Sequence, residues 1–390
     1  MRSIIGIVAL SLIAAGCAGD TTVTADPPLA TTVAVAPCAP IVPTARVDIG
    51  ADGNRVSTVS FDLAAATERR IALPGEPMWV LADPSRPGGW FAILADGTVV
   101  VVDPDGATTV NGSIDPTSPP SVDATGTLRS LDRSTLDDPL PDTRVVTTGG
   151  LDPDHGWDVW LAGPTDRYGH GVLGDRIEAS AIVARHRCTQ EQVRVEIPEP
   201  DVIEGLAPIV APFDDAEPVI VATLSNANDG ARLVAWDLAG DLVAESEPIG
   251  RGNRWRNQLA IAPVGPGGER ELVDVRTPHL GGIVEYFRLD GDRLVRVAAS
   301  ESRYTSHWIG SRNVDAGIVF DADADGASEV VVATSDRRSL AVLDRTADGV
   351  AETGQRAIGG LLSTNLAPGF VDNSLALGVR AGELVIFEQP

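Results

Sequence analysis

The feature that most constrains this chain is a repeated unit, an apolar strand that ends in aspartate and leads into a turn of Gly or Asp. It occurs at residues 101–106, 235–241, 286–292 and 342–349, and the last three copies lie about 50–56 residues apart. Helical apolar periodicity is nearly absent, and each copy follows further β-rich runs. A four-stranded sheet repeated at roughly 40–55 residues is typical of a propeller blade, so the sequence predicts an all-β chain folded as a β-propeller.

The two ends of the repeating region predict how the ring of blades closes. The chain ends in an apolar run at 384–390, a third strand without a fourth, and a lone strand at 70–74 precedes the first full unit, which begins at Met78. An N-terminal strand that completes the last blade would remove both sheet edges. The runs between 145 and 197, among them 171–173, are irregularly spaced, so seven four-stranded blades are expected with six as the alternative.

The first residues are typical of an export signal. Arg2 precedes an apolar run at 4–13, which suits a signal peptide and is much shorter than the roughly 20 residues needed to span a bilayer. The run leads into Cys17 and resembles the bacterial lipobox, although Ala14 stands where that motif usually has Leu. The resemblance implies cleavage before Cys17, lipidation of its thiol, and an extracytoplasmic chain that contacts the membrane through the lipid anchor only. An ordinary signal peptide is the alternative.

Composition divides the rest of the chain and excludes one class of partner. Residues 1–16 are the predicted signal peptide, 17–44 the lipidated Cys with a Thr/Ala/Pro-rich tether, and 45–390 the propeller domain, which is expected to be a monomer. The formal net charge is -25, and all 30 basic residues are Arg. A chain with this balance has no basic footprint for nucleic acid.

The cysteines predict one disulfide. Export places the chain in an oxidising compartment, and with Cys17 lipidated the only pair left is Cys38 and Cys188. A bond between them would tie the start of the domain to its middle. Two separate buried thiols are the alternative.

One loop carries a chemically specific motif. Residues 321–329 place carboxylates at alternate positions of a tight turn between two predicted strands, with Gly at the sixth place. The predicted ligands of a structural Ca²⁺ are the carboxylates of Asp321, Asp323, Asp325 and Glu329 and the carbonyl of Ala327. An EF-hand is excluded because its twelfth place is valine and strands flank the loop. The pattern resembles the FG-GAP/VCBS repeat of integrin-type and bacterial surface propellers. A solvated acidic turn is the alternative.

A second loop holds a partial copy of this motif. Asp152, Asp154 and Asp158 occupy matching places, but glycine replaces the first ligand. These three residues are a possible second metal site, and an acidic turn without an ion is the alternative.

No catalytic motif is found. The chain contains neither the nucleophile elbow G-x-S-x-G nor H-E-x-x-H, a C-x-x-C pair or a phosphate-binding glycine loop. His170 and His307 lie near predicted strand starts, where propellers line their central channel, and both are interpreted as structural.

The predicted function is therefore a calcium-braced binding or scaffolding module for a protein or glycan partner. The alternative is an extracytoplasmic enzyme of hydrolase, lyase or quinone-dependent type with a site at the channel mouth. Histidines and carboxylates that converge at that mouth would favour the enzyme. Aromatic side chains exposed on one rim would favour binding.

Overall fold

The computed structural model describes residues 52–149, 156–214, 217–370 and 372–389, and in these ranges the chain is all-β apart from one 3-10 turn, Pro278–Leu280. The first strands are β1 Val56–Ser60, β2 Thr67–Ala72, β3 Pro77–Ala82, β4 Trp90–Leu94, β5 Thr98–Asp103, β6 Gly106–Ser113, β7 Ser121–Val122, β8 Leu128–Arg129, β9 Val146–Thr147, β10 Trp157–Thr165, β11 Glu178–His186, β12 Gln192–Glu196, β13 Val202–Ile203, β14 Ile209–Ala211 and β15 Val219–Asn226. They are followed by β16 Gly230–Trp236, β17 Leu242–Glu245, β18 Arg256–Ala262, β19 Glu271–Arg276, β20 Ile283–Asp290, β21 Arg293–Ala299, β22 Tyr304–Thr305, β23 Gly317–Asp321, β24 Glu329–Thr334, β25 Ser339–Thr346, β26 Gly349–Ala357, β27 Ala367–Pro368, β28 Ser374–Val379 and β29 Glu383–Glu388.

Six four-stranded antiparallel units follow one another along the described chain. They are β3–β6, β9–β12, β14–β17, β18–β21, β23–β26, and β27–β29 completed by β2. The second strand of each unit is largely buried, whereas the fourth is the most exposed. This gradient from a buried inner side to a solvated outer strand is typical of propeller blades. The chain is a β-propeller.

The N-terminal strand closes the ring, as the sequence predicts. Strand β2 pairs antiparallel with β29 in continuous register, from Thr67 opposite Glu388 to Ala72 opposite Glu383. The last blade thus takes its outer strand from the start of the domain and three strands from the end. The pairing joins both ends of the domain in one sheet, so the outer edge of β29 is not left unpaired.

Among the described residues, the count of four-stranded units is six, the alternative value, and not seven. In the same part of the chain, the interval between β6 and β9 forms one hairpin, β7–β8, and an isolated bridge between Pro139 and Ala162. Prolines at 116, 119, 120, 139 and 141 explain this, because proline lacks the N–H that a ladder needs. The predicted strand at 171–173 is also wrong. These residues lie in the loop between β10 and β11.

Residues 52–60, which the sequence did not single out, cross the first strands of three blades. Asp52 O accepts from Val210 N at 2.8 Å, Arg55 N donates to Leu259 O at 3.0 Å, and β1 then runs parallel to β23. A Cβ at Gly53 would lie 2.0 Å from the carbonyl oxygen of Pro208, so this crossing requires glycine. Residues 52–60 therefore lie in the space lined by the first strands of these three blades.

Asn54 fixes this crossing through its side chain. Its Nδ2 donates to Ile261 O at 3.1 Å, and its Oδ1 accepts from Ile261 N at 2.7 Å. We expect Asn54→Ala to lower the free energy of unfolding by about 1–3 kcal/mol, because it leaves the buried N–H of Ile261 without its acceptor, whereas the carbonyl of Ile261 keeps Arg270 as a donor. Chemical denaturation would measure the loss. Asn111→Ala, on the exposed strand β6, is the control and should change stability by less than about 0.5 kcal/mol. A smaller loss for Asn54→Ala than for the control would contradict the assignment.

Candidate functional site

The acidic loop joins the first and second strands of the fifth blade. Strands β23 and β24 pair with Phe320 opposite Glu329, so the eight residues between them form a tight connection at one edge of the sheet. One carboxylate oxygen from each of Asp321, Asp323 and Asp325 lies within 4.8 Å of the others. The structure thus brings three of the predicted ligands together.

Hydrogen bonds within the turn hold the carboxylates in place. Asp321 accepts from the N–H groups of Asp325 and Gly326 and from Ser60 Oγ, the last at 2.6 Å. The N–H of Ala327 donates to Asp325 Oδ1. Ala327, whose carbonyl is the fifth predicted ligand, therefore lies in the same turn. Gly326 has a φ of 93°, in the left-handed region that favours glycine.

The electrostatics of this loop favour binding of a cation. Glu329 is buried, and its Oε2 accepts from Ala322 N at 2.8 Å. Burial and the charges of Asp323, Asp325 and Asp321 raise the pKa of Glu329 to about 7, and burial also raises the pKa of Asp323. A bound Ca²⁺ would supply the missing positive charge through oxygen ligation.

The other predicted site residues fall in different places. Asp158 lies on β10, where its oxygens are 3.6 and 3.9 Å from Arg185 and Arg187 nitrogens, and Asp152 and Asp154 lie outside the described residues. Cys188 is disulfide-bonded. Its predicted partner Cys38 and the predicted lipidation site Cys17 also lie outside the described residues, so the pairing and the anchor stay predictions. No helix in the described part of the chain is long and apolar enough to span a bilayer.

A second group of polar residues gathers on the opposite face. Strand direction alternates in a four-stranded meander, so the loop between the second and third strands shares an edge with the connection to the next blade. Five residues of these loops form what we call the histidine cluster: His170, Glu204, Trp255, His279 and His307. The acidic loop joins the first and second strands and lies at the other edge.

Two histidines of the cluster have one ring nitrogen fixed by a buried partner. His170 Nδ1 lies 2.6 Å from Glu204 Oε1, and Glu204 is fully buried. His307, also fully buried, has its Nε2 at 3.0 Å from the carbonyl oxygen of Ser311. A carbonyl only accepts, so Nε2 carries the proton and the Nδ1 of neutral His307 holds a free electron pair.

Aromatic contacts connect the histidines to one another. The His279 ring centroid lies 6.0 Å from that of His170 and 6.2 Å from that of His307. Trp255 is 5.0 Å from His307, edge to face, and its indole donates to the backbone oxygen of Glu204 at 2.8 Å. His279 therefore lies beside both of the other histidines, and Trp255 lies beside His307.

Burial sets the charge state of this group. It lowers the pKa of His279 to about 4, with the neighbouring His170 adding to the effect, and lowers the pKa of His307 to about 4. Burial, then the charges of Glu204 and Asp175, raises the pKa of Glu178 to about 10. At neutral pH His279 and His307 are neutral and Glu178 is protonated, so these three side chains are uncharged.

Loops of distant blades meet next to the histidine cluster. Gly310 N donates to Val172 O at 2.9 Å, and Arg312 pairs with Asp175 at 2.9 Å. The loop that contains Gly171–Leu173 thus packs against the connection between the fourth and fifth blades. The sequence could not show this contact, because it depends on how the blades close around the axis.

Two sequence signals for the histidine cluster were available. They are the positions of histidines near strand starts and their recurrence in equivalent loops.

Comparisons with known proteins identify no family. No family model matches the sequence, and no curated protein matches it. A solved structure described as "Crystal Structure of Mitotic Checkpoint Complex" has a chain similar to this one, with 10% identity and a TM-score of 0.45, over 86% of this chain and 98% of that chain. This similarity carries no argument about function.

Proposed function

We propose that this protein is a membrane-anchored extracytoplasmic lipoprotein whose propeller binds a protein partner on the face that carries the histidine cluster. Leu280, next to His279, and Ile309, two residues after His307, support this proposal, with 56% and 65% of their surface exposed. Contiguous apolar side chains exposed on one face are typical of interaction sites, and the rings of the adjacent His279 and His307 lie 6.2 Å apart. Both are aliphatic and offer no flat ring on which a sugar can stack, which favours a protein over a glycan.

Calcium has a bracing role in this proposal. The carboxylates of Asp321, Asp323, Asp325 and Glu329 and the carbonyl of Ala327 would hold the ion, which neutralises a turn that is otherwise crowded with negative charge. The loop lies on the face opposite the histidine cluster, so the ion would stabilise a blade without contacting the partner.

Partner binding is tested by a double variant of the exposed aliphatic residues. We expect Leu280→Ser with Ile309→Ser to reduce recovery of a specific cross-linked partner by at least about tenfold, because a few buried residues near the centre of an interface carry most of its binding energy. Cross-linking in cells followed by mass spectrometry would measure the recovery. Leu242→Ser, which removes an equally exposed leucine from the outer strand β17, is the matched control. Equal recovery with the double variant and the parent would refute this binding face.

An extracytoplasmic enzyme is the second candidate function, and one observation favours it. The contact between His170 and Glu204 at 2.6 Å is the convergence of histidine and carboxylate expected of an acid–base pair. One variant distinguishes the two candidate functions. His170→Ala would abolish turnover of a substrate, whereas binding through Leu280 and Ile309 would survive it.

A further inference from the structure

Buried polar atoms around the histidine cluster have no hydrogen-bond partner among the described residues. These atoms are Nδ1 of His279, Nδ1 of His307, Oε2 of Glu178 and Oε2 of Glu204. An unpaired polar atom costs about 1–3 kcal/mol when it is removed from water, so four of them in one region indicate a missing ligand. The carboxylate oxygen of Glu204 and the free electron pair of His307 are acceptors, which makes a cation the fitting ligand.

We infer that the histidine cluster binds one divalent transition-metal ion of the Zn²⁺ class through imidazole nitrogens of His170, His279 and His307. Neutral imidazole is a common ligand for such ions, and three histidines leave a fourth position for water or a substrate. This inference does not depend on the proposed partner binding or on calcium binding by the acidic loop.

The surroundings already orient two of these ligands. A metal-binding histidine usually donates its other ring N–H to a carboxylate or a backbone carbonyl. His170 has Glu204 in this role and His307 has the carbonyl of Ser311. His170 and His279 are only partly buried, so an ion can reach the site from solvent.

The cluster must contract slightly to hold an ion. Two imidazoles that share a tetrahedral Zn²⁺ at about 2.0–2.1 Å have ring centroids about 5 Å apart, compared with 6.0 and 6.2 Å here. In the described residues, only the acidic loop already has three His, Cys, Asp or Glu side chains whose ligand atoms all lie within 4.8 Å of one another. His279 is only partly buried, so a rotation of its side chain can bring its ring closer to both of its neighbours. Binding of one ion by all three rings also requires His170 and His307 to approach each other.

Titration of the purified full chain with ZnCl₂ tests the site. The chain is first stripped with chelator and then kept in excess Ca²⁺, so that the acidic loop does not compete. We expect one Zn²⁺ per chain by calorimetry, and Co²⁺ should give the visible absorption bands of a tetrahedral nitrogen site. His307→Ala should abolish both signals. Glu204→Gln, which keeps an oxygen beside His170, should weaken binding by about 10–100-fold.

Three further results decide the outcome. His186→Ala removes a histidine outside the cluster and should bind Zn²⁺ like the parent. Asp323→Ala with Asp325→Ala should also leave Zn²⁺ binding intact, which separates this site from the calcium loop. Thermal unfolding of each variant shows whether it is folded. Absence of Zn²⁺ binding to the folded parent would overturn the inference, as would unchanged stoichiometry and affinity in both His307→Ala and Glu204→Gln.

Discussion

Replacing Arg256 by Met is expected to lower the free energy of unfolding by about 3–5 kcal/mol, because it leaves a buried carboxylate without its partner. The Arg256 guanidinium donates to Asp274 Oδ2 at 2.8 Å and to Glu285 Oε2 at 2.6 Å, and all three side chains are buried. Glu285 keeps Arg276 and Arg296 in the variant. Among the described residues, no other basic side chain forms an ion pair with Asp274.

The effect of this substitution should depend on pH. Burial raises the pKa of Asp274 to about 7, although Arg256 opposes the rise. A carboxyl whose folded pKa exceeds its unfolded value adds stability below the unfolded pKa, and that stability is lost as pH rises through the folded pKa. Loss of Arg256 raises the folded pKa further. Urea unfolding should therefore show a larger deficit for Arg256→Met at about pH 8 than at about pH 5.

Arg296→Met is the matched control for this prediction. Its guanidinium bonds the same Glu285, but 54% of its side chain is exposed and Glu285 keeps two other arginines. We expect a loss of less than about 1 kcal/mol. Adding Asp274→Asn to Arg256→Met should recover part of the lost stability, because it removes the unpaired charge. Equal losses for Arg256→Met and Arg296→Met would contradict the assignment.

The fold was largely predictable because strand periodicity is a local signal. Closure of the ring followed from one unpaired strand at each end. Prediction failed where the local signal was weak. Residues 171–173 are apolar enough for a strand, yet they pack in a loop against the connection between the fourth and fifth blades.

The two sites differ in how much the sequence could reveal. The acidic loop is contiguous, so alternate aspartates predict a cluster that the structure brings within 4.8 Å. The histidine cluster combines residues as far apart as His170 and His307, and their proximity depends on how the blades are arranged around the axis. Interpreting those two histidines as structural was reasonable from sequence because neither lies in a motif. The unpaired Nδ1 of neutral His307 became visible only with the carbonyl of Ser311 in place, and the orientation of His170 only with the buried Glu204.

Removal of calcium is expected to lower the melting temperature markedly, because an ion bound only by the folded state stabilises it by mass action. At a free Ca²⁺ concentration of 100 times the dissociation constant, the gain is about 2.7 kcal/mol. Asp323→Ala with Asp325→Ala should remove most of the sensitivity to chelator, since the remaining oxygens cannot complete a shell of six to eight. Asp103→Ala with Asp105→Ala, in an exposed turn between β5 and β6, is the matched control and should keep the parent's calcium response.

The acidic loop should also show a pH dependence that calcium reverses. Burial and the neighbouring aspartates raise the pKa of Glu329 to about 7 in the folded chain, above its usual 4.5. In chelator, the contribution of Glu329 is therefore present below about pH 4.5 and is lost as pH rises through about 7. Calcium binds the ionised form, so in excess Ca²⁺ stability should hold or rise over the same interval, as measured by calorimetric melting between about pH 5 and 8. Identical pH profiles with and without Ca²⁺, or a double variant that melts with the parent's calcium dependence, would leave the loop as an acidic turn that binds no ion.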